Sequence, residues 1–409
     1  MKNVNRQIRV IIIGCFILCS VSAISAQDWP QWRGVNRDGK VTAFKAPQKW
    51  PAALTKKWTV SVGLGDSTPA LVNNKLYVFT RNGAEEVVQC LDAANGKELW
   101  QDKYTAVAVT GPAASHPGPR SSPTVADGKV VTLGVGGVLS CLDAATGKIL
   151  WRNEEYTSAV PDFFTSMSPI VADGMCIAYL GGKDKGALLA LDLTTGKEKW
   201  ELDCDGPAYG SPVLMSAGGT KQLVVLSEKN LFGVSEADGR PLWGIPAPNA
   251  RMFFSCATPV IDGDKIFYTG QGHGTKAVKI EKKGDSFAVS TLWSNDELGT
   301  TFNTPVLNDK MLYGISKLGF LYCIDAQTGK TAWIDTVKMD RFGSVIETGE
   351  VLMGLSLNSE LVVFKPDNKA YSELARYKVA ETPTLAHPVV AGNRIYIKDS
   401  ESLTMWMIE

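Results

Sequence analysis

Short apolar runs, each followed by a turn signal, recur along the chain, and one eleven-residue pattern organises them. The clearest copy spans residues 190–200 and reads ALDLTTGKEKW. Near-copies span residues 90–100, 141–151, 233–243 and 323–333, and a looser copy ends at Trp293. Glycine after Asn, Thr or Asp supplies the positive φ that a two-residue hairpin turn needs. Each copy therefore predicts a strand, a tight turn and a second strand that ends in tryptophan.

A second recurring signal lies upstream of each copy and predicts two more strands. It is a Ser/Thr-Pro pair followed by apolar residues, a turn and an apolar strand, and it occurs at residues 68–69, 122–123, 168–169, 211–212, 258–259 and 304–305. Tyr77, Tyr268 and Tyr313 lie in the second strands. A unit of four strands that repeats about every 40–50 residues is typical of a propeller blade.

The number of units predicts an all-β propeller with eight blades of four antiparallel strands. A degenerate unit begins at Ser344 with Tyr377 in the tryptophan position, and the last unit, at His387-Pro388, supplies only three strands. Residues 57–60, ahead of the first blade, are predicted to add the fourth strand and close the ring, which removes an open sheet edge. One large indole per unit predicts docking between neighbouring blades, through Trp58, Trp100, Trp151, Trp200, Trp243, Trp293 and Trp333.

The motif A-x-D-x-x-T-G-x-x-x-W resembles the tryptophan-docking repeat of quinoprotein alcohol dehydrogenases. It is shared by the pyrroloquinoline quinone-like repeat superfamily, which also includes a non-enzymatic lipoprotein of the outer-membrane barrel-assembly machinery. The resemblance covers residues 58–406, nearly all of the chain after its first segment. It implies the propeller fold and leaves the activity open, because the superfamily contains both enzymes and scaffolds.

The first residues predict export. Residues 1–26 read as a signal peptide, with Lys2, Arg6 and Arg9 ahead of an apolar stretch and cleavage after Ala26. Cys15 ends a partial lipoprotein box, but few apolar residues precede it, so a lipid anchor is the less favoured alternative. Residues 27–56 are predicted to form a strap and connector, and residues 57–409 the propeller. No later segment is apolar enough for a membrane helix, so we expect a periplasmic or extracellular protein.

Charge balance and cysteine positions limit the kinds of partner and the disulfide bonds that we expect. The chain has 42 basic and 42 acidic residues, and without a basic stripe a nucleic-acid partner is not expected. Six cysteines remain after Ala26, and three of them share the first position of the repeat in separate blades. We expect these to be free thiols, because residues in separate blades are too far apart to bridge. One continuous repeat also predicts a single closed domain, and we expect a monomer.

The sequence contains no recognisable catalytic or metal-binding constellation. The resemblance implies that a quinone-dependent member would carry an adjacent Cys-Cys pair, a calcium site and a catalytic Asp, and none of these maps onto this chain. The three histidines, His116, His273 and His387, lie in different blades without ligand spacing. The sequence therefore favours no cofactor, and pyrroloquinoline quinone with calcium remains an alternative.

One group of residues is a candidate binding surface. Aromatic and arginine side chains come just before the first strands of several blades, where loops gather at one mouth of the channel and can bind a planar anion, a glycan or a peptide. The predicted rim consists of Arg120, Phe163, Phe164, Tyr209, Arg251, Phe253, Phe254, Phe302, Asn303, Arg341, Phe342 and His387. The alternative interpretation is that the aromatics pack these loops together.

Three functions remain open from the sequence. The first is an exported, non-catalytic binding or scaffold propeller that recognises an envelope protein or a small ligand through the loops of one face. The second is an alcohol or sugar dehydrogenase that uses pyrroloquinoline quinone and calcium. The third is a carbohydrate-binding propeller that uses the aromatic and arginine rim.

Overall fold

The computed structural model describes residues 28–247, 255–270 and 272–409. The predicted signal peptide and the candidate residues Arg251, Phe253 and Phe254 lie outside the described residues. Within the described ranges the chain forms eight sheets of four antiparallel strands, so the prediction of an eight-bladed all-β propeller is confirmed. In these ranges no helix has both the length and the apolar character needed to cross a bilayer.

The first four blades follow one another along the chain. Blade one contains β2 (Ala70–Val72), β3 (Lys75–Asn82), β4 (Glu85–Asp92) and β5 (Glu98–Thr105). A 3₁₀ helix at Gly111–Ser115 precedes blade two, which contains β6 (Thr124–Ala126), β7 (Lys129–Leu133), β8 (Leu139–Asp143) and β9 (Ile149–Asn153). Blade three contains β10 (Ile170–Ala172), β11 (Met175–Gly182), β12 (Lys185–Asp192) and β13 (Glu198–Cys204). Blade four contains β14 (Val213–Ala217), β15 (Thr220–Leu226), β16 (Asn230–Ser235) and β17 (Pro241–Pro246).

The remaining blades repeat this order, except for the last. Blade five contains β18 (Val260–Asp262), β19 (Lys265–Gly270), β20 (Gly274–Lys283) and β21 (Ser286–Asn295). Blade six contains β22 (Val306–Asn308), β23 (Met311–Ile315), β24 (Phe320–Asp325) and β25 (Thr331–Lys338). Blade seven contains β26 (Ser344–Glu347), β27 (Leu352–Leu355), β28 (Glu360–Phe364) and β29 (Glu373–Lys378). Blade eight contains β30 (Val389–Ala391), β31 (Arg394–Lys398), β32 (Ser402–Met407) and β1 (Thr55–Ser61).

The two ends of the propeller meet in blade eight. Strand β1 pairs with β32, with Trp58 opposite Met405 and Val60 opposite Leu403. The predicted closing strand is therefore present, and it begins at Thr55 rather than at residue 57. Lys398 reinforces the closure, because its buried ammonium donates hydrogen bonds to the carbonyls of Gly63 and Gly65 at 3.1 Å each. Burial lowers the pKa of this lysine to about 8.

The aspartate of the repeat shapes the turn that follows it. Asp192 Oδ1 accepts hydrogen bonds from the backbone N–H groups of Thr194 and Thr195 and from the Thr195 hydroxyl. Gly196 then adopts a φ of +70°, as expected for the left-handed region. The turn occupies residues 193–197, between β12 and β13, so the prediction of a two-residue turn was wrong. The Asp-centred hydrogen bonds stabilise a longer loop that the Thr-Gly pair alone does not reveal.

Each regular seam between blades is closed by a tryptophan that lies against the next blade's turn glycine. The Trp151 Nε1 donates a 3.0 Å hydrogen bond to the Leu193 carbonyl in blade three. A Cβ on Gly196 would lie 2.6 Å from the Trp151 ring, so only glycine permits this contact. The same arrangement joins Trp58 to Gly96, Trp100 to Gly147, Trp200 to Gly239 and Trp293 to Gly329.

Three seams depart from this arrangement where the repeat departs from its consensus. Blade seven has no glycine turn, and the Trp333 Nε1 in blade six donates instead to the Asp367 carbonyl. Blade five lacks the Thr-Gly turn, and the Trp243 Nε1 instead donates to Gln222 Oε1 in its own blade. Tyr377 takes the tryptophan position in blade seven, and its hydroxyl donates to the Pro51 carbonyl in the N-terminal connector. In each case the docking side chain finds another hydrogen-bond acceptor, because the next blade lacks the glycine turn of the repeat.

The Ser/Thr-Pro signal forms a chain of hydrogen bonds around the axis. In each step a backbone N–H donates to the hydroxyl of the equivalent residue in the next blade, at 2.9–3.2 Å, starting from His387 to Thr68 and passing through Ser122, Ser168, Ser211, Thr258 and Thr304. In blade seven the Ser344 hydroxyl is buried and has no hydrogen-bond partner. The chain of bonds is therefore interrupted in the degenerate blade.

Candidate functional site

The antiparallel order of the strands gives the propeller two distinct faces. The connector face carries the loops that join one blade to the next and the hairpins between second and third strands. The turn face carries the other two turns of every blade. The predicted rim residues that the structure describes separate into two clusters on the connector face, while His387 lies at the axis.

The first cluster joins the connectors that lead into blades two, three and four. Arg120 donates hydrogen bonds to the carbonyls of Phe163, at 3.0 Å, and His116, at 2.8 Å. The Tyr209 hydroxyl accepts the N–H of Phe163, and their rings meet edge to face. Phe164 follows with a φ of +64°, a strained left-handed conformation. These contacts hold the connectors to one another, which favours the packing interpretation for this half of the rim.

The second cluster is an exposed apolar platform at blade six. The rings of Phe302 and Phe342 are parallel, with centroids 4.5 Å apart. The Arg341 guanidinium lies 5.2 Å from the Phe342 centroid and 6.0 Å from the Phe302 centroid. Phe302 remains 45% exposed, and Leu318, at the tip of the neighbouring hairpin, is 64% exposed. We call Phe302, Leu318, Arg341 and Phe342 the aromatic platform.

The loops of the aromatic platform are fixed by hydrogen bonds beneath it. Asn303 is buried, and its Nδ2 donates to the carbonyls of Ile315 and Arg341. The Asn303 Oδ1 also accepts the N–H of Ile315. The N–H of Met339 donates to the Gly319 carbonyl, so the hairpin and the following connector are tied together. Asn303 therefore supports the platform from below, and a ligand on the surface would contact its neighbours.

Leu318 is the platform residue that sequence analysis did not select. Leu318 lies in a hairpin, whereas the other rim residues were predicted from their position just before a first strand. A leucine in a Lys-Leu-Gly turn is unusual, because such turns favour polar residues. An apolar residue in such a turn is therefore the sequence signal that points to Leu318.

The channel axis is occupied by the N-terminal segment. Residues 28–41, which we call the axial plug, enter beside Asn73 on the turn face and leave beside Glu347 on the same face. At the far end of this loop Arg33 donates to the carbonyls of Thr304 and Pro305, and Arg37 donates to those of Ser168 and Pro169. The plug thus links blades three and six across the axis.

The two arginines of the axial plug are buried and already hydrogen-bonded. Arg33 is 0% exposed, and burial lowers its pKa to about 10, while that of Arg37 falls to about 9. Trp32 donates to the Thr258 hydroxyl, and its ring lies 4.6 Å from that of His387. Burial, with Arg33 nearby, lowers the pKa of His387 to about 3. His387 is therefore a neutral packing residue at the axis, away from the exposed rim.

The described residues do not fit a quinone with calcium. Calcium takes about six to eight oxygen ligands, and no group of three or more His, Cys, Asp or Glu side chains within residues 28–247, 255–270 and 272–409 is placed to hold a metal. At the axis, Arg33 and Arg37 are taken up by backbone carbonyls. No step of a quinone-dependent reaction can be assigned to these side chains.

The cysteines offer no nucleophile at either cluster. The six cysteines within the described ranges are free thiols, so the expectation of free thiols is confirmed. Burial raises the pKa of Cys90 to about 11 and that of Cys256 to about 12. Because the thiolate is the reactive form, thiols with such pKa values are inert at neutral pH.

Comparisons with known proteins agree with the propeller fold. The outer membrane protein assembly factor BamB of Burkholderia pseudomallei is 26% identical over 364 residues, covering 77% of this chain and 86% of that protein. The quinohemoprotein alcohol dehydrogenase ADH-IIG of Pseudomonas putida is 24% identical over 304 residues, covering 65% of this chain and only 39% of the enzyme. Among solved structures, BamB from Moraxella catarrhalis superposes with a TM-score of 0.66 at 15% identity, covering 88% of this chain and 98% of that one.

The family model gives the assignment. The model described as outer membrane protein assembly factor BamB matches residues 84–335. This range lies within blades one to six and makes up more than half of the 409 residues. The chain therefore belongs to the BamB family of pyrroloquinoline quinone-like repeat propellers.

Proposed function

We propose that this protein is an exported, non-catalytic scaffold that binds an envelope protein through the aromatic platform on its connector face. Its relatives are named as outer membrane protein assembly factors, and we place this chain in the same process. A propeller of this kind contributes a rigid surface on which another protein is held. The proposed location is the periplasm or another compartment outside the cytoplasm.

The observation that carries the proposal is the rigid exposure of the aromatic platform. Phe302 and Leu318 are among the most exposed large apolar side chains of the described residues, and exposed apolar patches with an arginine are typical of protein interaction sites. The supporting hydrogen bonds of Asn303 fix the loops before a partner arrives. A preorganised surface loses little conformational entropy on binding, which favours recognition of a folded partner.

A photocrosslinking amino acid at position 302 tests this proposal in cells that produce the protein. We expect a discrete crosslink to an envelope protein involved in outer membrane protein assembly. The matched control carries the same amino acid at Thr194, an exposed residue of the turn face, and should give no such product. Equal crosslinking at the two positions, or none at 302, would contradict the proposal.

Substitution of the platform separates specific binding from general contact. Leu318→Ser and Arg341→Ser, each in the full chain, should reduce co-purification of the crosslinked partner at least about tenfold, as expected for central interface residues. Both side chains are exposed, so the melting temperature should remain unchanged. Adding soluble glycans to the purified complex provides the alternative outcome, because displacement by a glycan would assign the platform to carbohydrate.

A further inference from the structure

One sector of the channel wall remains open beside blade four. The axial plug covers the first strands of blades seven and eight, and every residue of β26 and β30 is buried. In β14, the first strand of blade four, residues alternate, with Leu214 and Ser216 exposed between buried neighbours. Leu214 is 40% exposed. The plug therefore fills the channel unevenly and leaves blade four accessible from the turn face.

A cavity of about 420 Å³ lies in this open sector. Its lining includes Asp173, Leu214, Met215, Ser216, Lys221 and Glu236. Asp173 comes from the turn between β10 and β11, whereas the other five residues belong to blade four. The volume lies within the range of about 300–1,000 Å³ that small-molecule sites occupy.

The cavity contains a buried carboxylate oxygen without a partner. Glu236 is only 2% exposed, its carboxyl group interacts with that of Asp173, and its Oε1 has no partner at hydrogen-bond distance among the described residues. Its backbone is fixed on both sides, because its carbonyl accepts the Trp200 Nε1 and its N–H donates to the Lys221 carbonyl. Leaving a buried acceptor unpaired costs free energy, which a bound donor would offset.

Two carboxyl groups at the cavity, those of Asp173 and Glu236, share the single ammonium group of Lys221. The Lys221 Nζ lies 2.7 Å from Asp173 Oδ2, and this contact lowers the pKa of Asp173. Burial, reinforced by Asp173, raises the pKa of Glu236. Two carboxylates therefore face one ammonium group, and a second cation would balance them. A cationic donor also forms a stronger hydrogen bond with a carboxylate than a neutral donor does.

We propose that this cavity binds a small alkylammonium ion, with its charged group at Glu236 and its alkyl chain against Ala172 and Leu214. A divalent metal fits less well, because the site offers only two carboxylates beside a lysine, whereas hard cations require more oxygen ligands. The apolar wall supplies no metal ligand but matches the alkyl chain. This inference concerns the turn face and is independent of partner binding at the aromatic platform.

Leucine-methyl NMR on the full exported chain tests the site directly. The probe is n-pentylammonium, and the Leu214 methyl resonances, assigned with Leu214→Ser, should shift and saturate. n-Pentanol and pentanoate have the same chain without the positive charge, and we expect binding at least about tenfold weaker for each. No Leu214 shift with pentylammonium, or an equal response to pentanol, would overturn the proposal.

Two variants and one control locate the charged group. Glu236→Gln keeps the shape of the side chain but removes its charge, and it should weaken pentylammonium binding about tenfold or more. Leu214→Ser should reduce the preference for longer alkyl chains. Glu198→Gln alters an exposed carboxylate on the outer strand of blade three and should leave binding unchanged. Unaltered binding in a folded Glu236→Gln variant would refute the assignment.

Discussion

The seams between the regular blades and the closing sector of blades seven and eight are held together by different kinds of residue. In the regular seams the repeat itself supplies the contacts, as when Trp151 lies against Gly196 and the Ser168 hydroxyl accepts the Ser122 N–H. In the closing sector Tyr377 replaces the tryptophan and the buried Lys398 ties blade eight to the next connector. The closing sector therefore depends on single residues outside the repeat.

This difference shows why a closed ring needs more than its repeat. Equivalent blades do not by themselves fix the angle at the seam that closes the ring. A side chain with several hydrogen-bond donors can stabilise that seam over a range of angles. Arginine and lysine serve this purpose here by donating to backbone carbonyls. The axial plug extends the same principle to the channel, where Arg33 and Arg37 connect first strands across the axis.

The largest expected effect comes from removing an arginine of the axial plug. Arg33→Ala leaves the carbonyls of Thr304 and Pro305 without this donor, and hydrogen bonds to charged groups are individually strong. We expect the free energy of unfolding to fall by about 3–5 kcal/mol, measured by urea denaturation.

The exposed Arg240 provides the control for this change. Arg240→Ala should alter the free energy of unfolding by less than about 0.5 kcal/mol, because Arg240 lies on the surface. If Arg33→Ala is as stable as Arg240→Ala, the plug is not part of the cooperative structure. The closing sector would then owe its stability to strand pairing and to the contacts of Tyr377 and Lys398.

The sequence predicted the regular seams and missed the closing contacts for one physical reason. Repetition reveals residues that do the same thing several times, so the eight blades and the position of the closing strand could be inferred. The role of Arg33 could not be inferred, because its hydrogen bonds to Thr304 and Pro305 depend on the positions of distant carbonyls. Lys398 gave no signal, because a lysine at the end of a strand is ordinarily exposed.

The next largest effect separates steric fit from backbone conformation in a regular seam. Gly196→Ala introduces a Cβ 2.6 Å from the Trp151 ring at a φ of +70°. Gly174→Ala has a similar φ of +75° but meets nothing within 4 Å. We expect losses of about 3 kcal/mol for the first and about 1 kcal/mol for the second, since overpacking adds to the left-handed strain.

Thermal or urea unfolding of the two variants measures this difference. The gap between them reports the contact between tryptophan and turn, because both carry the same kind of backbone strain. Equal destabilisation would mean that the indole moves aside without cost, and the seam would then not depend on a glycine.

A smaller effect is expected for serine, and it differs between a regular seam and the closing sector. Ser168→Ala removes the acceptor of the buried Ser122 N–H, whereas the Ser344 hydroxyl has no partner. An unsatisfied buried donor costs about 1–3 kcal/mol, so Ser168→Ala should lower the free energy of unfolding by about 1.5 kcal/mol. Ser344→Ala should change it by less than about 0.5 kcal/mol. A larger loss for Ser344→Ala would reverse the comparison.

The candidate site was only partly accessible to sequence reasoning. Phe302 and Arg341 could be selected because they precede a first strand, and the structure places both on one platform. His387 also precedes a first strand, but it lies at the axis. Its burial could not be predicted, because the path of residues 28–41 does not follow from local sequence patterns. The cavity at Glu236 was missed because the exposure of β14 depends on where the plug runs.

The smallest effect is a pH dependence at the connector that joins blades eight and one. His116 Nδ1 lies 3.1 Å from Asp66 Oδ2, and this hydrogen bond raises the pKa of His116 above 6.5. A raised histidine pKa stabilises the fold below the unfolded value of about 6.5, and this contribution is lost as the pH rises through the folded pKa. The histidine side chain is 45% exposed, so screening limits the effect to about 0.5 kcal/mol.

A double-mutant cycle isolates this pair from other ionisable groups. Asp66→Asn should destabilise the protein more at pH 5.5 than at pH 8, and in a His116→Asn background the same change should lose that dependence. Arg120 also faces this pair and lowers the pKa of His116, so it is kept unchanged throughout the cycle. Urea denaturation at both pH values measures the coupling. A coupling that is equal at both pH values would show that the histidine charge does not stabilise this connector, which would then depend on the hydrogen bonds of Lys398 to Gly63 and Gly65.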